Sequence, residues 1–269
     1  MDLPRLDTAP TAAVLENFVA TGMNRSGLDG YVLGLSGGID SALAASIAVR
    51  AVGSDRVRGF IMPYQTSAAE SAADAHRLAE KLGITTETVP IAPMIDAYYE
   101  NVGATDPVRA GNKMARERMA ILFDRAFAMN RLVLGTSNRT EICLGYGTWY
   151  GDVACSLNPL GQLYKTQVRQ LARYYDVPES IVTKAPSADL WPGQTDESEL
   201  GLEYDKVDKL LYMIIDQAIM SRQELNRSGF EDGFIDRAVS LLNRFYFKRH
   251  LPAVADLGLK PIPDKVEIV

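Results

Sequence analysis

Leu33-Gly34-Leu35-Ser36-Gly37-Gly38-Ile39-Asp40-Ser41 decides how this 269-residue chain is read. The apolar segment Tyr31-Val32-Leu33 runs into it, and a helical segment from Ala42 to Arg50 follows. A strand that turns through Ser-Gly-Gly-x-Asp-Ser into a helix builds an anion site. Glycines let the backbone approach a ligand closely, and the helix N-terminus aims free N–H groups at it. Ser36 and Ser41 add hydroxyls. Asp40 adds a carboxylate, which a bare phosphate would repel and a bridging Mg²⁺ would reconcile. The stretch is expected to hold pyrophosphate and a metal ion. It is not a Walker loop, since no Gly-Lys-Ser/Thr follows, and it is not the Gly-x-Gly-x-x-Gly dinucleotide fingerprint.

Outward from this loop, apolar runs alternate with helical periods. Strands are expected over 31–35, 57–62, 84–90 and 132–135, and helices over 8–22, 41–52 and 110–130. Ser67-Ala68-Ala69-Glu70 has a capping-box pattern and should open a helix that Gly83 stops. This alternation implies an α/β fold with a parallel sheet wrapped by helices. Beyond Pro159 the chain turns helical, over 166–175, 181–184, 203–220 and 235–248. The Pro-, Ser-, Gly- and Asp-rich stretch 185–199 has the length of a lid or binding loop. The tail 252–269 is expected to be extended or poorly ordered, after a single domain spanning 1–269.

A net charge of −6 argues against a nucleic-acid binder, and 47% hydrophobic residues suffice for a packed core. Two cysteines, Cys143 and Cys155, make neither a disulfide framework nor a zinc site. No secretory leader or membrane-spanning run is seen, so a cytoplasmic location without membrane contact is expected. With only two histidines, His76 and His250, a multi-histidine metal site is excluded.

Three further constellations carry chemistry. Asn112 and Arg116 share a helical stripe; the arginine either pairs with an acid such as Glu117 or Asp124 or clamps a phosphate or carboxylate. Gly135-Thr136-Ser137-Asn138-Arg139-Thr140-Glu141 follows the fourth strand, where ligands of parallel sheets gather. Glu141 there is either a second Mg²⁺ ligand opposite Asp40 or an ordinary first-turn acid, with Thr136 or Ser137 as helix cap. Lys165 opens a helix, where the dipole disfavours a cation unless an anion is present, so it is either a phosphate ligand or a solvated lysine.

Together these segments resemble the ammonia-dependent NAD synthetases, within the superfamily whose loop splits ATP into AMP and pyrophosphate. The resemblance runs from about Tyr31 to Pro252. It rests on the 36–41 loop, Asn112-x-x-x-Arg116-x-Arg118-Met119, the 134–141 segment, and Asn158-Pro159-Leu160-Gly161 with Leu163-Tyr164-Lys165-Thr166-Gln167-Val168. The most specific block is Pro186-Ser187-Ala188-Asp189-Leu190-Trp191-Pro192-Gly193-Gln194-Thr195-Asp196-Glu197. The resemblance implies a Rossmann-like, adenine nucleotide alpha-hydrolase-like fold and a two-step ligase reaction. The nicotinate carboxylate of deamido-NAD attacks the α-phosphorus of ATP and releases pyrophosphate; ammonia then displaces AMP. It implies ATP contacts from Gly34, Leu35, Ser36, Gly37, Gly38, Ile39, Asp40 and Ser41, completed by Thr136, Lys165 and Ser187. Asp40 and Glu141 would hold Mg²⁺. Arg116 and Lys248 match deamido-NAD contacts. Asp189 or Asp196 would help deprotonate ammonium. Family members pair as homodimers, with the segment around 122–127 a candidate contact. No nitrilase-like glutaminase domain is recognised, so free ammonia, or ammonia from a separate partner, is the expected nitrogen source.

Three positions depart from the family pattern. Trp149 stands where many relatives have lysine, Ser156 where many have aspartate, and Phe247 where a histidine precedes Lys248. All three match deamido-NAD contacts, so the adenylating half is intact while the acceptor half is altered. Trp149 is expected to stack on the pyridine ring, substituting area for charge; alternatively the acceptor is another carboxylate. A tRNA-modifying thiolase or lysidine-type ligase on the same loop would want a basic surface and, for thiolation, a suitably placed cysteine pair; the acidic balance and the separated Cys143 and Cys155 count against it. A nucleotide-binding sensor without turnover is the remaining non-enzymatic alternative.

Overall fold

The computed structural model describes residues 3–103, 106–187, 195–250, 252–255 and 257. Four parallel strands, β1 (Tyr31–Gly34), β2 (Val57–Ile61), β3 (Thr85–Thr88) and β4 (Leu132–Val133), lie in the order β3-β2-β1-β4. The helices are α1 (Thr8–Ser26), α2 (Ile39–Val52), α3 (Ala69–Leu82), α4 (Ala92–Val102), α5 (Pro107–Ala128) and α6 (Arg139–Leu144). They continue as α7 (Lys165–Tyr174), α8 (Glu179–Val182), α9 (Asp196–Leu200), α10 (Tyr204–Leu211), α11 (Arg222–Arg227) and α12 (Asp232–Arg244). The α/β architecture with a helical C-terminal part is the one expected.

Alternation along the strands splits the core. Tyr31, Leu33, Val57 and Ile61 pack with Val19, Leu43 and Leu78 of α1, α2 and α3. Val32, Phe60 and Val133 face the other way, onto Ile95 of α4 and Met114 and Leu122 of α5. Each such buried side chain contributes roughly 1.5–3 kcal/mol of transfer free energy. A third, helical core joins Leu144, Tyr164, Tyr204, Leu210, Ile235 and Leu241.

The strand order positions the site. β2 and β3 add successively to one flank of β1, and β4 then pairs with its other flank, Tyr31 opposite Leu132 and Val32 opposite Val133. The chain therefore leaves β1 and β4 side by side at their carboxyl ends, the switch point where parallel sheets open a crevice.

Several local expectations are corrected. The helix after Ser67 forms, but Ala68 is its N-cap, without a side-chain bond; Ser67 Oγ instead accepts the N–H of Tyr64 at 3.2 Å. α4 has no clear signal in the sequence, because Pro93 reads as a breaker; it sits in the first turn, where no N–H is needed. β3 is a short polar edge strand. The helix expected over 203–220 ends at Leu211 and continues as one π-turn, Tyr212–Asp216, whose Asp216 is held by Arg139 and by the Tyr164 hydroxyl. The helix expected over 235–248 stops at Arg244, because Lys248 and Arg249 reach back to carbonyls near the end of α6.

Candidate active site

α2 begins directly at the glycine turn, with Gly38 as N-cap and no side chain on its first amides. Those N–H groups are left for a ligand. Gly37 is required there twice over: its φ is +76°, and a Cβ would lie 2.1 Å from the Ser71 carbonyl oxygen. The two serine hydroxyls brace the turn. Ser41 Oγ donates to the Gly38 carbonyl at 3.0 Å and accepts the Ser36 N–H at 3.3 Å, while Ser36 Oγ accepts the Gly38 N–H at 3.2 Å.

Facing the turn is a tight ionic cluster. Lys165 Nζ lies 2.6 Å from Asp40 Oδ2 and 3.3 Å from Glu141 Oε1, with its side chain only 3% exposed. The ammonium also sits 5.2 Å from the Tyr204 ring centre. Lys165 is therefore not a solvated lysine, and the two carboxylates supply the anionic charge that its place at the start of α7 requires. Burial works against its charge, but Asp40, Glu141 and Asp196 together outweigh it and hold the ammonium above the ordinary lysine range. Burial pushes the Glu141 carboxyl upward against the pull of Lys165, and Asp40 adds to the rise.

Sequence reasoning missed Asn138. It is fully buried and caps α6 in place of Thr136 or Ser137: its Oδ1 accepts the Glu141 N–H at 3.0 Å, and Glu141 Oε2 accepts the Asn138 N–H at 3.2 Å. Its Nδ2 also donates to Asp40 Oδ1 at 3.0 Å. One asparagine thus holds both carboxylates. The Asn-x-x-Glu capping-box spacing was the available signal.

The cluster opens into a cavity of about 870 Å³, in the range that encloses a nucleotide-sized ligand. Of the residues expected to contact ATP, all but Gly37 line it, as do Glu141, Asp196 and Lys248. One flank is apolar, with Phe60, Met62, Met119 and Leu122. Lys184, another residue the sequence does not single out, also lines the wall; its Nζ donates to Ser71 Oγ at 2.9 Å and lies 3.5 Å from the buried Asp74. Asp196, 4% exposed, accepts the hydroxyls of Tyr146 at 3.0 Å and Tyr204 at 3.2 Å. Burial raises its carboxyl, while Lys165 and the two tyrosines pull against that. Asp189 lies outside the described residues.

The acceptor-side residues are less convergent. Lys248 Nζ donates to the carbonyls of Gly145 and Gly147 at 2.8 and 2.7 Å. Arg116, Trp149, Ser156 and Phe247 do not line the cavity in this structure. Arg116 pairs with neither Glu117 nor Asp124; its Nε donates to the Trp149 carbonyl at 3.3 Å, and Glu117 is taken by Lys113. Trp149 stacks on Tyr150 with ring centres 4.6 Å apart, and Phe247 meets it edge-on at 5.2 Å. Ser156 Oγ accepts the Val133 N–H at the end of the sheet.

The donor set suits magnesium. Asp40 and Glu141 converge on one point, now taken by the Lys165 ammonium, and present only hard oxygens. Among the described residues no cluster of three or more His, Cys, Asp or Glu forms a cage. Two carboxylates, leaving the other positions to phosphate and water, are what Mg²⁺ commonly takes.

Residues 11–252 match the family model described as NAD synthase. The chain belongs to the NAD synthase family. It is 46% identical over 253 residues to an NH(3)-dependent NAD(+) synthetase of Chlorobium phaeobacteroides, covering 94% of this chain and 91% of the relative. Among solved members, an NMN synthetase from Francisella tularensis superposes with a TM-score of 0.83 at 35% identity, over 94% of this chain and all of the other. An NH3-dependent NAD synthetase from Campylobacter jejuni gives 0.80 at 32% identity, over 93% of this chain and all of the other. This NAD synthase family member carries the glycine turn, the carboxylate–lysine cluster and an aromatic group of Trp149, Tyr150 and Phe247.

Proposed function

We propose that the chain is a C–N bond-forming ligase that amidates deamido-NAD to NAD with ammonia, converting ATP to AMP and pyrophosphate. The observation that carries this is Lys165 held between Asp40 and Glu141 at the mouth of an uncapped glycine turn. ATP lies with its phosphates on the turn amides and its purine against the apolar flank of Met62 and Leu122. Lys165 and Lys184 offer the cationic charge that departing pyrophosphate needs. Asp40 and Glu141 would hold Mg²⁺ against the same phosphates. When bound, that ion supplies further charge neutralisation at the leaving group. The acceptor carboxylate displaces pyrophosphate from the α-phosphorus, giving an acyl-adenylate. Ammonia then attacks the acyl carbon and AMP leaves. Asp196, with its raised carboxyl inside the cavity, takes the proton from ammonium.

The enzyme is proposed to work as a homodimer. On α5, Phe123 is 43% and Phe127 91% exposed. These aromatic residues are four positions apart on one face, a patch that a second copy of the chain would cover.

A second acceptor has a specific observation behind it. Trp149, Ser156 and Phe247 depart from the pattern of the family that the sequence resembles, and one solved relative at 35% identity is an NMN synthetase. Nicotinate mononucleotide is therefore the competing substrate. Incubation with ATP, Mg²⁺, ammonium and either acceptor tests both. NAD and AMP in equal amounts from deamido-NAD support the first; amidation of the mononucleotide alone replaces it with the second. AMP formation with neither acceptor amidated would point to another carboxylate, and no AMP at all to a sensor.

A further inference from the structure

Asp208, on α10, is fully buried and does not line the cavity. Its Oδ1 accepts the Thr140 hydroxyl, and its Oδ2 accepts both the N–H and the hydroxyl of Thr166 at 2.8 Å. Thr140 Oγ in turn accepts the N–H of Lys165 at 3.0 Å. Among the described residues these hydrogen-bond partners are two threonines and an amide, with no lysine or arginine. Arg169 acts on this carboxylate through space, without a hydrogen bond; a carboxylate buried in this way is costly, and apolar side chains would join these helices without that cost. What apolar contacts cannot do is accept three directed bonds at once and so fix two backbones in register.

Those backbones are the starts of α6 and α7. Thr140 immediately precedes Glu141, and Thr166 immediately follows Lys165. We propose that Asp208 is a positioning residue that sets Glu141 and Lys165 at their mutual distance through Thr140 and Thr166. It acts from behind the site, touching neither ATP nor acceptor. The proposal rests on the amidation reaction above, which gives Lys165 and Glu141 their task.

Asp208→Asn tests it with little change of shape. The amide nitrogen of asparagine either faces Thr166 N–H, where that bond is lost, or faces Thr140 Oγ, whose hydroxyl must then turn round and accept, so the charged acceptor and its set of three donated bonds are not reproduced. MgATP binding by titration calorimetry, steady-state kinetics with each substrate, and the melting temperature are measured on the full chain. MgATP affinity and kcat should each fall about tenfold or more, because displacements near 1 Å at reacting groups are that costly. KM for the acceptor should stay within about twofold and the circular dichroism should be unchanged. If the asparagine variant does not fold, Thr140→Val breaks the relay to Lys165 while Thr140→Ser keeps it. Loss of MgATP affinity in the valine variant and its retention in the serine variant support the proposal. Wild-type MgATP affinity in Asp208→Asn or Thr140→Val would overturn it, as would losses for both substrates that merely track the folded fraction. Calorimetry needs no acceptor, so a wild-type protein that makes no NAD would refute the amidation reaction without deciding the role of Asp208.

Discussion

Lys165 Nζ stands 2.6 Å from Asp40 Oδ2, across 125 residues of sequence. The contact joins the first residue of α7 to the first turn of α2, and so links the helical C-terminal part to the glycine turn of the sheet. In the proposed reaction Lys165 turns to phosphate, while Asp40 and Glu141 would hold the metal.

Lys165→Met should lower kcat by ~10²–10³-fold, the usual cost of removing one group that stabilises developing charge. It also leaves Asp40 and Glu141 facing each other without their shared cation. Breaking a buried pair in this way costs about 3–5 kcal/mol, so the metal-free variant should melt well below wild type. Adding Mg²⁺ should raise its melting temperature more than that of wild type, as scanning calorimetry with and without the ion can check.

Asp196 gives a pH-dependent prediction with a definite sign. Its folded carboxyl is raised above the unfolded value by burial. Its stabilising contribution is therefore complete below the unfolded pKa, about 3.9, and is lost as pH rises through the folded pKa. Asp196→Asn should be more stable than wild type at neutral pH, with the difference shrinking as pH falls toward 4. Amidation at limiting ammonium should drop at the same time, so melting curves across pH and ammonium-saturation kinetics move in opposite directions.

Trp149 tests the proposed acceptor half of the site. It contacts Tyr150 and Phe247, and its carbonyl accepts Arg116. Aromatic contacts are worth about 0.5–1.5 kcal/mol beyond area, so Trp149→Ala should raise acceptor KM roughly 2–10-fold and leave KM for ATP unchanged. A rise in KM for ATP alone would move Trp149 to the adenylating half.

The exposed pair on α5 tests the proposed homodimer. Phe127→Glu places a charge at a position 91% exposed in the single chain, so it should leave the fold intact. Sedimentation should show wild type at about twice the 29.5 kDa chain mass and the variant at the chain mass.

Much of the fold and site is legible in the sequence where one short segment carries its own physics. The glycine turn announces its strand and its helix together, because that junction is made by the local chain at 31–41. The order of the strands then brings the 135–141 segment beside it, as parallel sheets do. What escapes is the support between distant segments. Asn138 reaches Asp40 across 98 residues, and Asp208 ties Thr140 to Thr166 from α10. Asn138 shows only its local cap on Glu141, and Asp208 lies inside a helix, so neither shows its distant partner in its own neighbourhood. Lys184 is hidden for the same reason: it reads as the end of a short helix over 181–184, and only the fold turns it toward the cavity. Trp149 and Phe247 stand out as departures, but that they pack on each other depends on the turn Tyr246–Arg249 folding back toward α6.

The acyl-adenylate route is tested most directly by following oxygen. Deamido-NAD labelled with ¹⁸O in its nicotinate carboxylate is turned over with MgATP and ammonium, and the products are weighed by mass spectrometry. One labelled oxygen should appear in AMP and none in pyrophosphate, because the carboxylate oxygen becomes the bridge to the α-phosphorus. Label in inorganic phosphate, with ADP as the nucleotide product, would mean attack at the γ-phosphorus. That result would contradict the glycine turn and Lys165 as the holders of a departing pyrophosphate.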